Sequence, residues 1–386
     1  VTTFIEDSPR PNLVAWMKGA IDRGQASAVV LDPWLSPLNH RTGNVKPGLA
    51  VRIQDLSAQQ IPFWLDPMTH VLDMPGARDL AYYSQYDLWA GNRGDLTAPT
   101  LRREHVRRVV QLQRSIGART LAPTTLLPTG LNNLSTIALD LARLTLEEDP
   151  TAFLSVAGVG TFWADGPDLD AHVGALAALA PKGWFISFAQ PTNDPPARLT
   201  PDQIYGICRT VRALSENAPV YVSHGDFAGL PAIAAGAFGV GTGWDKRQRV
   251  LSFPDYGPRD PASQGRWNKR PAFAGLLGTL SERDGQTLGA QNPALAARLG
   301  GLPNPPQVPQ IFEKHVEQLS QAVGQVLAAG AAYEPRFRAL DAMYDAARAN
   351  WSAVSAATGM TDASRLWIDP FQAGLRMYAR SEGWRT

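Results

Sequence analysis

The chain has 386 residues, 44% of them hydrophobic and 18% charged, with a formal net charge of +1. That balance excludes wholesale disorder, and the near-neutral charge means that any basic surface is local. The single cysteine, Cys208, excludes a disulfide framework and a cysteine-rich zinc site.

Cys208 falls on the apolar face of a helical stretch and reads as a buried, inert thiol. No run approaches the roughly 18 apolar residues needed to span a bilayer. The opening Val-Thr-Thr-Phe-Ile lacks the charged and apolar regions of a signal peptide, so a cytoplasmic location is expected.

Along the chain, short apolar runs ending in polar or glycine-containing turns alternate with amphipathic helical stretches. The first run is 2–5, followed by a helix near 12–23. The second, 28–31, ends at Asp32-Pro33-Trp34, and the connection 35–60 shows no clear helix. The third, 61–65, ends at Asp66-Pro67-Met68-Thr69-His70. A helix over 101–116 precedes the fourth run, 120–122, which ends at Pro123-Thr124-Thr125. The fifth, 152–156, follows a helix over 133–146, and the sixth, 184–188, follows one over 169–179. The seventh, 220–223, comes after a helix over 201–214, and the eighth, 238–240, after a short helix over 230–235.

Such alternation predicts a parallel sheet buried on both faces, and eight repeats favour closure into a (β/α)₈ barrel. An open doubly wound sheet is the alternative, but no G-x-G-x-x-G follows the first strand.

The barrel is expected over 1–250. Residues 251–310, rich in Pro, Gly, Asn and Arg, read as long loops with one helical piece near 273–280. A helical C-terminal extension is expected over 311–386, with helices at 313–327, 334–358 and near 370–380. It is suited to capping the barrel, covering its mouth or forming a homo-oligomer.

In a parallel barrel the C-terminal strand ends share one mouth. They supply Glu6, Asp7, Asp32, Asp66, His70, Thr124, Thr125, Ser155, Ser187, Gln190, Ser223, His224, Asp226 and Asp245. Carboxylates crowded in a dehydrated mouth have their proton affinities driven apart, which suits acid–base work.

Asp66, His70, His224 and Asp226 form the expected catalytic set, with Asp32 binding substrate. Asp226 is suited to a base, a glycosyl-type nucleophile or a metal ligand. The plainer roles are local amide bonding for Asp32 and Asp66, each followed by Pro, and a helix N-cap for Asp226. No H-x-H or H-E-x-x-H spacing places two metal ligands on one element, so no metal ligand is assigned.

Gly225 to Gly229 and the run Ala235-Gly236-Ala237-Phe238-Gly239-Val240-Gly241-Thr242-Gly243 resemble the strand-seven and strand-eight region of phosphate-binding (β/α)₈ barrels. The resemblance covers about residues 219–245. It implies that Gly241 and Gly243 offer backbone N–H groups to a phosphate, with Trp244 and Asp245 beside it. Asp226 departs from that pattern by placing a negative charge nearby, and the glycines equally permit tight strand–helix packing.

Lys246, Arg247 and Arg249 follow at once, then Arg259, Arg266, Lys269 and Arg270, with Phe253, Tyr256 and Trp267 interleaved. That mixture suits phosphates and stacked bases. A second basic group, Arg102, Arg103, Arg107 and Arg108, reads as a solvated helix face. Tyr82, Tyr83, Tyr86 and Trp89 read as packing.

The leading expectation is an enzyme on an anionic, phosphorylated or nucleotide-like substrate, working by acid–base or carboxylate-nucleophile chemistry. Glycosyl or ribosyl transfer fits best, with hydrolase or lyase chemistry using many of the same residues. Nucleobase-exchanging transglycosylase barrels offer an analogy, but the cysteine-based zinc site of many of them cannot form here. The alternative is a non-catalytic barrel that binds nucleic acid or protein in an assembly. The cofactor is left open: a barrel phosphate site can hold a flavin, and no residue pattern points to one.

Overall fold

Eight parallel strands carry the fold: β1 (Thr3–Glu6), β2 (Val29–Leu31), β3 (Phe63–Leu65), β4 (Leu126–Leu127), β5 (Phe153–Gly158), β6 (Gly183–Phe188), β7 (Val220–Val222) and β8 (Gly239–Thr242). They are hydrogen-bonded in the order β3-β2-β1-β8-β7-β6-β5-β4. The computed structural model describes residues 3–6, 13–34, 38, 49–77, 83–257, 270–301 and 308–386.

The ring closes between β3 and β5 through residues 119–122. Parallel bridges join Trp64 to Arg119 and Leu121 to Phe153. The fourth strand is therefore in two pieces, broken at Pro123-Thr124-Thr125 before β4. Pro123 has no N–H to give a ladder, which explains the break. The buried Gln113 amide repairs the gap, donating to the carbonyls of Leu65 and Leu121 at 2.8 Å each.

The barrel interior is layered. Phe4, Val30, Trp64, Leu121, Phe153 and Phe185 belong to one buried cluster, with the half-buried Tyr221 packed against it and ring centroids such as Trp64–Phe185 at 5.1 Å and Phe4–Phe185 at 5.7 Å. Side chains alternate across a strand, so the residue two places on faces the same interior. Those residues are Glu6 after Phe4, Asp32 after Val30, Asp66 after Trp64, Ser187 after Phe185 and Ser223 after Tyr221. A floor of aromatics thus sits beneath a polar mouth.

The surrounding helices are α1 (Leu13–Asp22), α2 (Leu49–Ala58), α3 (Pro99–Ser115), α4 (Asn133–Glu148), α5 (Gly160–Trp163), α6 (Pro167–Ala177), α7 (Pro201–Leu214) and α8 (Leu230–Ala234). Helix α2 corrects the expectation of a helix-free 35–60 connection. It buries Leu49, Arg52 and Leu56, one face at helical spacing. Capping boxes start α4, Asn132 with Ser135, and α7, Thr200 with Gln203.

After β8 come α9 (Lys246–Arg249) and α10 (Phe253–Tyr256), then an antiparallel pair, β9 (Ala272–Phe273) with β10 (Gly278–Thr279), and α11 (Glu282–Gln291) and α12 (Pro293–Arg298). The helical piece expected near 273–280 is a single 3₁₀ turn, Ala274–Leu276, between these short strands, ended by Leu277, whose left-handed φ of 48° reverses the chain. The tail consists of α13 (Val308–Ala328), α14 (Tyr333–Thr358) and α15 (Ile368–Ser381). Helix α13 packs against α1, β1 and α8, where the helix following an eighth strand belongs. Helices α14 and α15 extend beyond it over α8 and α7.

Among the described residues no helix is long and apolar enough to cross a membrane. Asp7, Asn12, Asp79, Tyr82, Arg259, Asp260, Arg266, Trp267 and Lys269 lie outside the described residues.

Candidate active site

Three adjacent strands, β1, β2 and β3, each deliver one carboxylate to the mouth. Glu6, Asp32 and Asp66 are all buried. Asp32 and Asp66 are held alike: Asp32 Oδ1 accepts from the Trp34 amide and Asp66 Oδ1 from the Met68 amide, each at 2.7 Å. Each Asp-Pro-X turn so fixes one carboxylate oxygen and leaves the other for the mouth. The local role expected of these residues is real and coexists with a functional one. Glu6 Oε1 accepts from the Ser223 hydroxyl at 2.7 Å and from the His224 amide at 3.1 Å.

Burial, with Asp66 adding repulsion, pushes the Glu6 carboxyl up to about 8 against those two hydrogen bonds. Asp32 rises to about 7, chiefly through burial and opposed first by the Trp34 amide; Asp66 and Glu6 add to the rise and Arg247 opposes it. Asp66 is also raised by burial, with the Met68 amide and His224 pulling it back. Glu6 and Asp32 therefore hold protons in the neutral range beside Asp66, which is raised above its ordinary value, a condition for acid–base pairing.

His70 and His224 adjoin this group. Burial, then the mutual effect of His224, lowers His70 to about 3. Burial lowers His224 to about 4 against the pull of Asp66. Both are neutral imidazoles at physiological pH. His224 (φ 51°) and Asp226 (φ 45°) flank Gly225 in left-handed conformations, as does Met68 (φ 53°) beside Asp66. Such strain in non-glycine residues persists only where surrounding contacts enforce it.

Asp226 sits apart from the carboxylate trio. It is 1% exposed; its Oδ1 accepts from Phe227 N at 2.9 Å and from His315 Nε2, on α13, at 3.1 Å. His315 Nε2 is also 3.2 Å from the Thr242 hydroxyl. With the Asp226 oxygen accepting, the imidazole proton lies on Nε2. Asp226 is not the helix N-cap its position suggests, because the short 3₁₀ turn begins at Asp226 itself, after Gly225.

The glycines near β7 and β8 are packing sites. A Cβ on Gly225 or Gly229 would lie 2.7 or 2.5 Å from Val240. One on Gly241 would meet Glu6 at 2.5 Å, and one on Gly243 would meet Gln248 at 2.4 Å. The Asp245 amide donates to Gln248 Oε1 at 2.9 Å, so the start of the four-residue α9 is closed by its own side chains.

The basic run after β8 divides. Arg249 is buried, donating from Nε to the Gly243 carbonyl at 2.8 Å and from Nη2 to the Trp244 carbonyl at 3.4 Å. The guanidinium expected to bind phosphate with Arg247 is thus engaged by two backbone carbonyls. Arg247 remains near the mouth, 3.7 Å from Asp255, and Lys246 is half-buried. Trp244 packs into Trp16 and Phe312.

The segment after β8 crosses the mouth and pairs with the end of β6. Gln190 N donates to Leu251 O at 2.8 Å, and Phe253 N to Gln190 O at 3.0 Å. This brings Tyr256 inward, its ring perpendicular to Trp34 at 5.8 Å. Trp34 in turn stacks on Tyr83 at 4.9 Å. The catalytic and substrate-binding sets expected from the sequence include none of Glu6, Trp34, Tyr256 and His315, although the sequence places Glu6 at the mouth and Tyr256 beside the basic run. For Glu6 a signal exists: Phe4-Ile5-Glu6, Val30-Leu31-Asp32 and Trp64-Leu65-Asp66 share one inward–outward–inward pattern.

Tyr86 and Trp89 are packing residues, with His105 stacked on Trp89 at 3.8 Å. Arg102, Arg103, Arg107 and Arg108 are each paired with acidic neighbours on a helix face. Cys208 is fully buried, and burial pushes its thiol up. Two cavities open away from the carboxylates. One of about 260 Å³ lies at the opposite barrel end by Trp64 and Arg119; another of about 430 Å³ lies between Arg270 and Trp367.

No protein-family model matches the sequence, and no curated protein does. Solved structures that are similar in part include a GH10 xylanase from Thermobacillus composti, at 8% identity and TM-score 0.35 over 62% of this chain and 82% of that one. A psychrophilic glycoside hydrolase family 10 endo-β-1,4-xylanase shows 10% identity and TM-score 0.36, over 67% and 94%. A D-allulose 3-epimerase from Methylomonas sp. shows 12% identity and TM-score 0.30, over 63% and 84%. The assignment of this chain as a (β/α)₈ barrel rests on its own strand order, register and closure.

Proposed function

We propose that this barrel is an enzyme whose chemistry is carried by Glu6, Asp32 and Asp66, assisted by His224 and His70. The supporting observation is the convergence of three buried carboxylates from adjacent strands, all with raised proton affinities, Glu6 and Asp32 into the neutral range. Such a set can hold a proton on one member for a leaving group while another stays ionised beside a developing positive centre. Glycosyl or ribosyl transfer, or the matching hydrolysis, uses that division of labour. Glu6 or Asp32 is the proton holder, and Asp66 is the carboxylate that meets the developing positive centre.

Asp226 is assigned to holding the β7 turn through His315 rather than to bond breaking. A phosphorylated or nucleotide-like substrate would rely on Arg247, with Lys246 beside it, because Arg249 already serves two carbonyls.

The test is turnover of a panel of nucleosides, nucleotides and aryl glycosides followed by mass spectrometry. Asp66→Asn is expected to lower the rate of any active compound by about 100-fold or more while the variant keeps its melting temperature. Undiminished turnover in both Asp66→Asn and Asp32→Asn would reject the assignment.

A further inference from the structure

Four buried polar atoms around the strand-end carboxylates have no hydrogen-bond partner among the described residues: Trp34 Nε1, His70 Nε2, His224 Nδ1 and Tyr256 Oη. Their residues are 1 to 5% exposed. Buried polar groups are nearly always hydrogen-bonded, so a cluster of four without such partners marks a place made for a polar ligand. The four belong to one neighbourhood. Tyr256 feels Asp32 and Asp66, His70 feels His224, His224 feels Asp66, and the Trp34 ring touches Tyr256.

From this we propose that the mouth binds a neutral, polyhydroxylated ring: a free sugar, or the sugar of a nucleoside. The inference rests on reading the mouth as the active site, and it names the substrate class for that site.

Hydroxyl groups both donate and accept, so they match the mixture of indole donor, phenol, imidazoles and carboxyl oxygens. An anion fits poorly, because Asp32, Asp66 and Asp255 all act on Tyr256, Glu6 and Asp66 act on Asp32, and Arg247 opposes them. A cation fits less well than a neutral ring. The Arg93 guanidinium already lies 5.3 Å from the Tyr83 centroid and 5.9 Å from that of Trp34, taking the cation-binding faces.

The experiment is calorimetry and tryptophan fluorescence on the intact chain with matched pairs: D-ribose and ribose 5-phosphate, adenosine and its 5′-phosphate, methyl glucoside and glucose 6-phosphate. The uncharged member of at least one pair is expected to bind about tenfold tighter than its phosphate. Preference for ribose or for adenosine then tells free sugar from nucleoside. Tyr256→Phe, which removes only the hydroxyl, should weaken that binding about tenfold at an unchanged melting temperature.

Tighter binding of the phosphates, no binding of any uncharged member at millimolar concentration, or binding indifferent to both Tyr256→Phe and Trp34→Ala would overturn the proposal. If an uncharged ring binds as expected but Asp66→Asn leaves turnover intact, the catalytic assignment fails and the binding assignment stands.

Discussion

The Asp226 carboxylate, on the turn after β7, meets the His315 imidazole of α13 at 3.1 Å across 89 residues of sequence. Both side chains are essentially inaccessible to solvent. The bond ties the C-terminal part of the chain to the turn that carries His224, and it helps to hold two left-handed residues in place. His315→Ala leaves a buried carboxylate short of a donor, so a loss of about 2–4 kcal/mol is expected from urea unfolding. His315→Asn, which retains a donor, should lose less; equal losses would mean that packing rather than the hydrogen bond matters.

Stability should depend on pH in a way set by the mouth. Glu6 and Asp32 bind protons more tightly folded, at about 8 and about 7, than at their ordinary 4.5 and 3.8. Their contribution is full below the ordinary values and is lost as pH rises through the folded ones. His70 and His224, lowered to about 3 and about 4, contribute above 6.5 and lose that contribution as pH falls. The two sets oppose each other in mild acid, and above 6.5 the carboxylates act alone. Unfolding free energy is expected to drop by about 2 kcal/mol from pH 6.5 to 8.5, and Glu6→Gln should flatten the slope. A rise over that interval would contradict a protonated Glu6.

Two helical glycines should respond oppositely to alanine. Gly174, in α6, has open space where a Cβ would go, whereas Gly206, in α7, would place it 1.8 Å from the Trp163 carbonyl oxygen. Gly174→Ala is expected to raise stability by about 0.5–1 kcal/mol through reduced chain entropy. Gly206→Ala should cost about 1–3 kcal/mol by forcing α7 away from the 160–163 turn. Thermal melting of the pair checks both signs.

The two arginines after β8 should separate in the same way. Arg249→Met removes the donors for two buried carbonyls and is expected to cost about 2–4 kcal/mol. Arg247→Ala, at the half-buried rim with a 3.7 Å contact to Asp255, should change stability by less than about 1 kcal/mol. If both cost the same, Arg249 is not the internal brace its hydrogen bonds imply.

Much of the barrel is legible in particular residues. Val29–Leu31 and Phe63–Leu65 are three-residue strands, and each is marked by the Asp-Pro turn that ends it. Helix α2 escaped notice because its buried face includes Arg52, which breaks the apolar pattern. The β9–β10 pair escaped because two-residue strands leave almost no periodicity to read. His224 and Asp226 both pointed to function as neighbours in sequence. Their side chains nonetheless belong to different surroundings, one beside Asp66 and the other beside His315.

The sequence by itself determined the alternating strand and helix pattern, the order of the strands and the polar residues at their ends. Those follow from local periodicity, which each segment expresses without the rest of the chain. Only the tertiary structure decided that Glu6, Asp32 and Asp66 share one chamber and that Arg249 turns inward. It alone brought Tyr256 and His315 in from distant segments. Those outcomes depend on strand register, on the path of the chain after β8 and on burial, and burial sets both the proton affinity of a carboxyl and the partners a cation can reach.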